Sequence, residues 1–173
     1  EPLKEMQRNW IGKSKGVSLT FEVENSKNKI EVFTTRPDTI FGVSFLTVAP
    51  EYSDLHEICN ADNRVSIESY IKKVSIKSER DRLADVKTMS GVFSGSYAIH
   101  PFSGKKIPIW ISDYVLASYG TGAVMGVPAG DQRDFEFAKK FNLEIPNIFD
   151  KINVTESAFS DKTGFKLINS EFL

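Results

Sequence analysis

Apolar and polar residues alternate through Val17, Leu19, Phe21 and Val23, a period of two that predicts a half-buried strand. The polar run Asn25 to Lys29 reads as a turn, and Ile30 to Thr35, with Ile30 and Val32 on one face, completes a hairpin. A further strand fits Val43 to Ala49. The spacing then changes: Tyr52, Leu55, His56 and Cys59, and later Ile67, Tyr70, Ile71 and Val74, recur at helical intervals. Beyond the polar run Ser78 to Thr88, strands return at Gly91 to Ile99, Ile107 to Tyr114 and Ala123 to Val127, broken by Pro and Gly. Asp131 to Phe141 reads as a helix. This order, with no internal repeat or low-complexity linker, predicts a β-rich α+β fold: a β-barrel-like core, closed or partly closed, with peripheral helices.

Composition narrows this picture slightly. The chain has 173 residues, 40% of them hydrophobic and 26% charged, which fits one soluble domain over its whole length. A lone cysteine, Cys59, excludes an internal disulfide, and no apolar run reaches the length of a membrane span. A cytoplasmic setting without membrane contact is expected. The triplet Asn153-Val154-Thr155 would matter only in a secreted chain and is set aside. Twenty-two basic against twenty-three acidic residues give no positive field for coating long nucleic acid, which leaves contact with a nucleic-acid end. Pairs such as Lys72 with Lys73 and Lys105 with Lys106 read as solvated surface.

Several chemistries are excluded by their own requirements. Gly12-Lys13-Ser14 resembles the end of a phosphate-binding loop, but Gln7 stands where that loop needs glycine. Gly120-Thr121-Gly122 starts like a dinucleotide fingerprint, yet Met125 replaces its third glycine and an apolar run follows instead of a helix. His56 and His100 have no cysteine or carboxylate at metal-ligand spacing and are read as structural, and no nucleophile-elbow serine is present.

Two segments concentrate chemistry. In Thr34-Thr35-Arg36-Pro37-Asp38-Thr39, hydroxyls, a guanidinium and a carboxylate follow a strand directly. Hydroxyls and nearby amides can hold a water and a carbonyl oxygen, which suits ester hydrolysis without a protein nucleophile. The same residues also suit a plain turn, with Pro37 fixing the backbone and Thr39 capping a short helix from Ile40. The second segment, Tyr119 to Asp134, runs from an apolar strand into a helix start. Asp131 fits the N-cap and Asp134 the third helical position, which alone would account for both. The functional alternative is a carboxylate turned into a cleft to pair with a free α-ammonium.

Thr34 to Gly42 (TTRPDTIFG), Val48 to Glu51 (VAPE) and Gly120 to Ala138 (GTGAVMGVPAGDQRDFEFA) together resemble the editing domain inserted in bacterial-type leucyl-tRNA synthetases, which are class I enzymes. Asn9 to Ser14 (NWIGKS) resembles the point where the insertion leaves the catalytic body, so residues 1–16 are expected to be a junction to that body. Valyl domains share TTRP but typically continue ETMLGD, where this chain has DTIFGV, so the leucyl pattern fits better than the valyl or isoleucyl one. Gly130 departs from the pattern, many leucyl domains carrying histidine there, and no role is carried onto it. Neither aminoacylation signature is present, and Lys87-Thr88-Met89-Ser90 resembles the synthetase lysine loop only superficially.

The resemblance implies hydrolysis of the ester of tRNA-Leu mischarged with norvaline, isoleucine or a similar amino acid, leucyl-tRNA being spared. It implies that Asp134 binds the α-amino group and that Asp131 supports it or the helix start. Thr34 and Thr35 would lie near the ester and water, Arg36 would hold the tRNA end, and Thr39 would exclude leucine. Tyr119, Met125 and Val127 would shape the pocket. The implied partners are the tRNA 3′ end and the rest of the synthetase in cis. No metal or cofactor is implied for this domain, ATP and Mg serving the parent body. A domain that has lost catalysis and only binds tRNA is the alternative.

Overall fold

The alternation at the start of the chain forms β1 (Val17–Val23), with Phe21 and Val23 buried and Glu22 exposed between them. It turns back into β2 (Lys29–Thr34), antiparallel, with Leu19 opposite Val32 and Phe21 opposite Ile30. The turn places Asn25 at φ 56°, a left-handed conformation that asparagine tolerates better than most residues. The computed structural model describes residues 15–77, 81–82, 89–118, 120–159, 161 and 163–169. Most of the expected junction, the lysine-loop-like residues Lys87 and Thr88, and Tyr119 lie outside the described residues.

Four more strands follow, β3 (Phe45–Val48), β4 (Gly91–Ile99), β5 (Lys106–Ser112) and β6 (Ala123–Gly126). The sheet order is β2-β1-β4-β5-β3-β6, antiparallel throughout except between β3 and β5. A parallel pair needs a long crossover. Here it contains α1 (Leu55–Ile58), α2 (Arg64–Val74) and β4 itself. The helical spacing seen in the sequence is realised in α2, whose Ile67 and Val74 are buried.

The six-stranded sheet is not closed, so the barrel-like core is open along one seam. Its two edge strands nevertheless approach, with Cα atoms of β2 and β6 within 8 Å. At that seam the Thr121 hydroxyl donates to the Glu31 carbonyl at 2.5 Å.

All four residues of β3 are buried, because both faces of the sheet are covered there. Leu46 and Val48 join the main core with Phe21, Ile30, Val32, Ile109 and Ile111. Phe45 points the other way into an aromatic cluster with Phe137 of α3 (Gln132–Lys140), ring centroids 5.2 Å apart. Gly126 opposite Phe45 has no alternative, since a Cβ there would collide with the phenyl ring. The tight seat of α3 on the sheet carries its first turn to the end of β6. Among the described residues no helix is long and apolar enough to cross a membrane.

Candidate active site

A cavity of about 750 Å³ opens where the end of β2, the end of β6 and the start of α3 converge. That volume lies within the ~300–1,000 Å³ usual for small-molecule sites. Eight of the nine residues singled out in the sequence line it: Thr34, Thr35, Arg36, Thr39, Met125, Val127, Asp131 and Asp134. The ninth, Tyr119, lies outside the described residues.

The threonine-rich wall is built by its own hydrogen bonds. Thr34 Oγ1 accepts the Arg36 amide at 3.0 Å, which turns the chain out of β2. Pro37 then starts a 3-10 turn, Pro37–Gly42, since its fixed φ suits a first helical position. Thr39 was expected to cap a helix beginning at Ile40; it lies inside this turn instead, because Pro37 starts the helical geometry earlier and Arg36 holds the cap position. The Thr39 hydroxyl donates back to the Arg36 carbonyl at 2.9 Å, and the residue is buried. That bond fixes its rotamer and makes the side chain a rigid part of the wall. Arg36 makes a two-point contact with Asp38, Nε to Oδ1 at 3.0 Å and Nη2 to Oδ2 at 2.8 Å. Its guanidinium also lies 5.8 Å from the centroid of the Phe165 ring.

The opposite wall depends on the helix start. Asp131 is the N-cap of α3, as its sequence position predicts, and its Oδ1 accepts the amides of Arg133 at 2.8 Å and Asp134 at 3.3 Å. Asp134 is buried and does more than complete the first turn. Its Oδ2 accepts the Val127 amide at 2.8 Å, and its Oδ1 accepts the Tyr114 hydroxyl at 3.0 Å. Burial, reinforced by the Asp131 charge, pushes the Asp134 carboxyl up to about 7 against the opposing pull of the Val127 and Tyr114 bonds. A carboxylate in this setting gains strongly from a cation placed beside it.

Sequence reasoning missed Tyr114, which it treated as the end of an apolar strand, and it assigned nothing to the chain beyond Phe141. Phe149 and Phe159 from that segment line the cavity, their ring centroids 5.1 Å apart. The Phe159 amide donates to the Ala129 carbonyl at 2.9 Å, tying this segment beside the helix start. The recurrent phenylalanines at 149, 159 and 165 were the signal available. The histidines are away from this wall. His100 is buried, with Nε2 2.8 Å from the Ile40 carbonyl and Nδ1 accepting the amides of Phe102 and Ser103, a structural role; His56 is exposed on α1. Among the described residues no group of three or more His, Cys, Asp or Glu is placed to hold a metal ion.

Residues 8–173 match the family described as leucyl-tRNA synthetase, editing domain. The chain belongs to that family. It is 58% identical to the leucine–tRNA ligase of Christiangramia forsetii over 173 residues, covering all of this chain and 18% of that protein. With the leucine–tRNA ligase of Flavobacterium johnsoniae the identity is 53% over 178 residues, covering all of this chain and 19% of the relative. The chain thus spans less than a fifth of the length of these relatives. Among solved structures it is similar to the ternary complex of Agrobacterium radiobacter K84 agnB2 LeuRS-tRNA-LeuAMS. That similarity has a TM-score of 0.74 and 33% identity, covering 91% of this chain and 19% of that one. The editing-domain fold therefore accounts for the open sheet and its peripheral helices.

Proposed function

We propose that this editing domain hydrolyses the ester joining a noncognate amino acid, such as isoleucine or norvaline, to the 3′ end of leucine tRNA, and spares leucyl-tRNA. The observation that carries the reading is the buried Asp134 carboxylate on the cavity wall, each oxygen holding one protein donor. Each oxygen keeps acceptor capacity for an ammonium. An aminoacyl ester offers a free α-ammonium, and pairing with it offsets the burial that holds the acid near neutrality.

Anchored in this way, the ester carbonyl would lie toward Thr34 and Thr35, with Arg36 facing the phosphates of the tRNA end. Met125 and Val127 supply an apolar wall for the side chain, and Asp131 holds the helix start. Water adds to the carbonyl carbon, the bond to the ribose oxygen breaks, and that oxygen takes the proton. The products are a free amino acid and a tRNA with a free terminal hydroxyl. Water is the only second reactant, so we assign the domain no cofactor; ATP and Mg belong to charging by the catalytic body, with which the domain works in cis.

Selectivity has a physical reason. One methylene in an apolar pocket separates amino acids by only ~1–3 kcal/mol, too little for accurate charging by affinity alone. A second pocket that rejects leucine by steric conflict removes the errors. Thr39, held rigid by its bond to Arg36, is the residue we assign to that rejection.

The test is hydrolysis of isoleucyl-tRNA and leucyl-tRNA, both on leucine tRNA, by the purified chain beside Asp134→Ala. Loss of isoleucine alone, abolished in the variant, is the expected result. Absence of turnover with either ester would leave a tRNA-binding domain.

A further inference from the structure

Tyr114 lines the cavity beside Asp134 and is a residue that neither the threonine-rich nor the aspartate-bearing motif contains. We propose that Tyr114 is a positioning residue for Asp134, fixing the orientation of its carboxylate and favouring its charged form so that it is prepared for the substrate's amino group. The inference rests on the reading that Asp134 receives that group.

The geometry gives three supports. First, the Tyr114 hydroxyl and the Val127 amide donate to different oxygens of Asp134, at 3.0 and 2.8 Å, from different elements of the fold. Two donors on two oxygens define the plane of a carboxylate, whereas one would leave it free to rotate. Second, the Thr47 hydroxyl of β3, itself fully buried, lies 3.3 Å from the same phenol oxygen. A phenol has one proton. If Tyr114 gave it to Thr47, its oxygen would face Asp134 Oδ1 at hydrogen-bond distance with no proton between them unless the acid were protonated. An ionised Asp134 therefore requires Tyr114 as its donor, and Thr47, placed as a second acceptor of the same proton, competes with it.

Third, Tyr114 is held in place from two sides. Its ring lies 5.4 Å from the fully buried Phe137 ring, measured between centroids. The residues before it are clamped: Asp113 accepts the Ser90 amide and hydroxyl, both at 2.8 Å, and Ser112 donates to the Ser90 carbonyl at 2.5 Å. Burial and the neighbouring Asp134 charge push the Tyr114 phenol well above its ordinary range, so it keeps the proton it donates. The other charged groups acting on Asp134 are Asp131 and Arg133, on its own helix. Among the described residues, Tyr114 is the side-chain donor that reaches it, from just beyond the end of β5.

The experiment uses this chain with carbon-13 at the aspartate carboxyls. The Asp134 signal, identified by its loss in Asp134→Asn, is titrated in the wild type, Tyr114→Phe and Thr47→Val. The pH profile of kcat/KM for isoleucyl-tRNA is recorded in parallel. Tyr114→Phe removes one oxygen and keeps the ring packed on Phe137. It is expected to raise the Asp134 midpoint by about one pH unit and to move the acid limb of kcat/KM by the same amount, with activity recovering at high pH. Thr47→Val, which removes the competing acceptor, is expected to shift both the opposite way and by less. An unchanged Asp134 midpoint in Tyr114→Phe would overturn the proposal, and so would a midpoint that moves while the kinetic limb stays. If the wild type hydrolyses neither ester, the editing reading fails, and the carboxyl titration alone decides whether Tyr114 controls Asp134.

Discussion

Asp134 Oδ2 and the amide nitrogen of Val127 lie 2.8 Å apart, joining the first turn of α3 to the residue after β6. One carboxylate is thus a structural tie as well as the proposed substrate anchor, and mutation separates the two. Asp134→Ala leaves the Val127 N–H without its acceptor, at about 1–3 kcal/mol of stability. Asparagine can still accept that N–H through its carbonyl and can donate its amide to Tyr114, so Asp134→Asn keeps the fold. Both variants are expected to lose hydrolysis by at least ~100-fold. Melting temperatures measured beside initial rates check this, and an asparagine variant at the wild-type rate would remove the anchor role.

The raised carboxyl of Asp134 has two pH consequences. In the folded chain burial pushes it up to about 7, against 3.8 for an unperturbed aspartate. The folded state holds the proton more tightly, so stability is lost as pH rises from about 4 toward about 7 and levels off above. The full effect is on the order of 4 kcal/mol. Asp134→Asn cannot titrate, so its advantage in melting temperature over the wild type should widen between about pH 5 and pH 7.5. Activity runs the other way: kcat/KM falls about tenfold per pH unit below about 7, because the protonated acid cannot pair with an ammonium. A rate independent of pH across that range would place the titrating group elsewhere.

Thr39→Ala takes away the side chain proposed to block leucine, together with its 2.9 Å bond to the Arg36 carbonyl. Leucyl-tRNA is then expected to be hydrolysed at least ~10-fold faster than by the wild type, with about 1 kcal/mol lost from stability. Deacylation assays with leucyl-tRNA measure this directly, and continued protection of leucine would assign the rejection to another residue.

Arg36 is exposed enough to meet a phosphate while its Asp38 contact holds the guanidinium plane. Arg36→Ala should raise KM for the aminoacyl-tRNA about tenfold and reduce its salt dependence by about one phosphate contact. Lysine cannot reproduce the planar two-point contact, so Arg36→Lys should fall between the two. Steady-state kinetics over a salt series distinguishes this from a structural role, for which the salt slope would not change.

Gly130 has room for a side chain. A Cβ there would meet Phe149 at 3.7 Å and Val127 at 3.8 Å, ordinary packing distances. Gly130→His is therefore expected to change stability by no more than about 0.5 kcal/mol. Its effect on deacylation then reports what the usual histidine contributes, free of any folding defect.

Much of this architecture is legible in the sequence because single residues carry it. Alternation at Val17 to Val23 predicts β1, and Asp131 predicts the cap of α3, since both depend on neighbours within a few positions. Thr39 misled because two local signals compete, and the fixed φ of Pro37 prevails over a threonine's preference for the cap. Tyr114 was not legible, since an aromatic ending an apolar run looks like core until the fold brings it to Asp134, twenty residues away. Phe159 is a similar case, fixed beside Ala129 by a backbone bond that no periodicity reveals.

The seam between β2 and β6 explains why there is a site here at all. Phe33 and Thr34 of one edge and Val124 and Met125 of the other border the cavity. Continuous rungs of backbone bonding across that gap would fill it with main chain. The cavity takes the place that a further strand pairing would have occupied, so the proposed chemistry would enter this fold where its sheet stops short of becoming a cylinder.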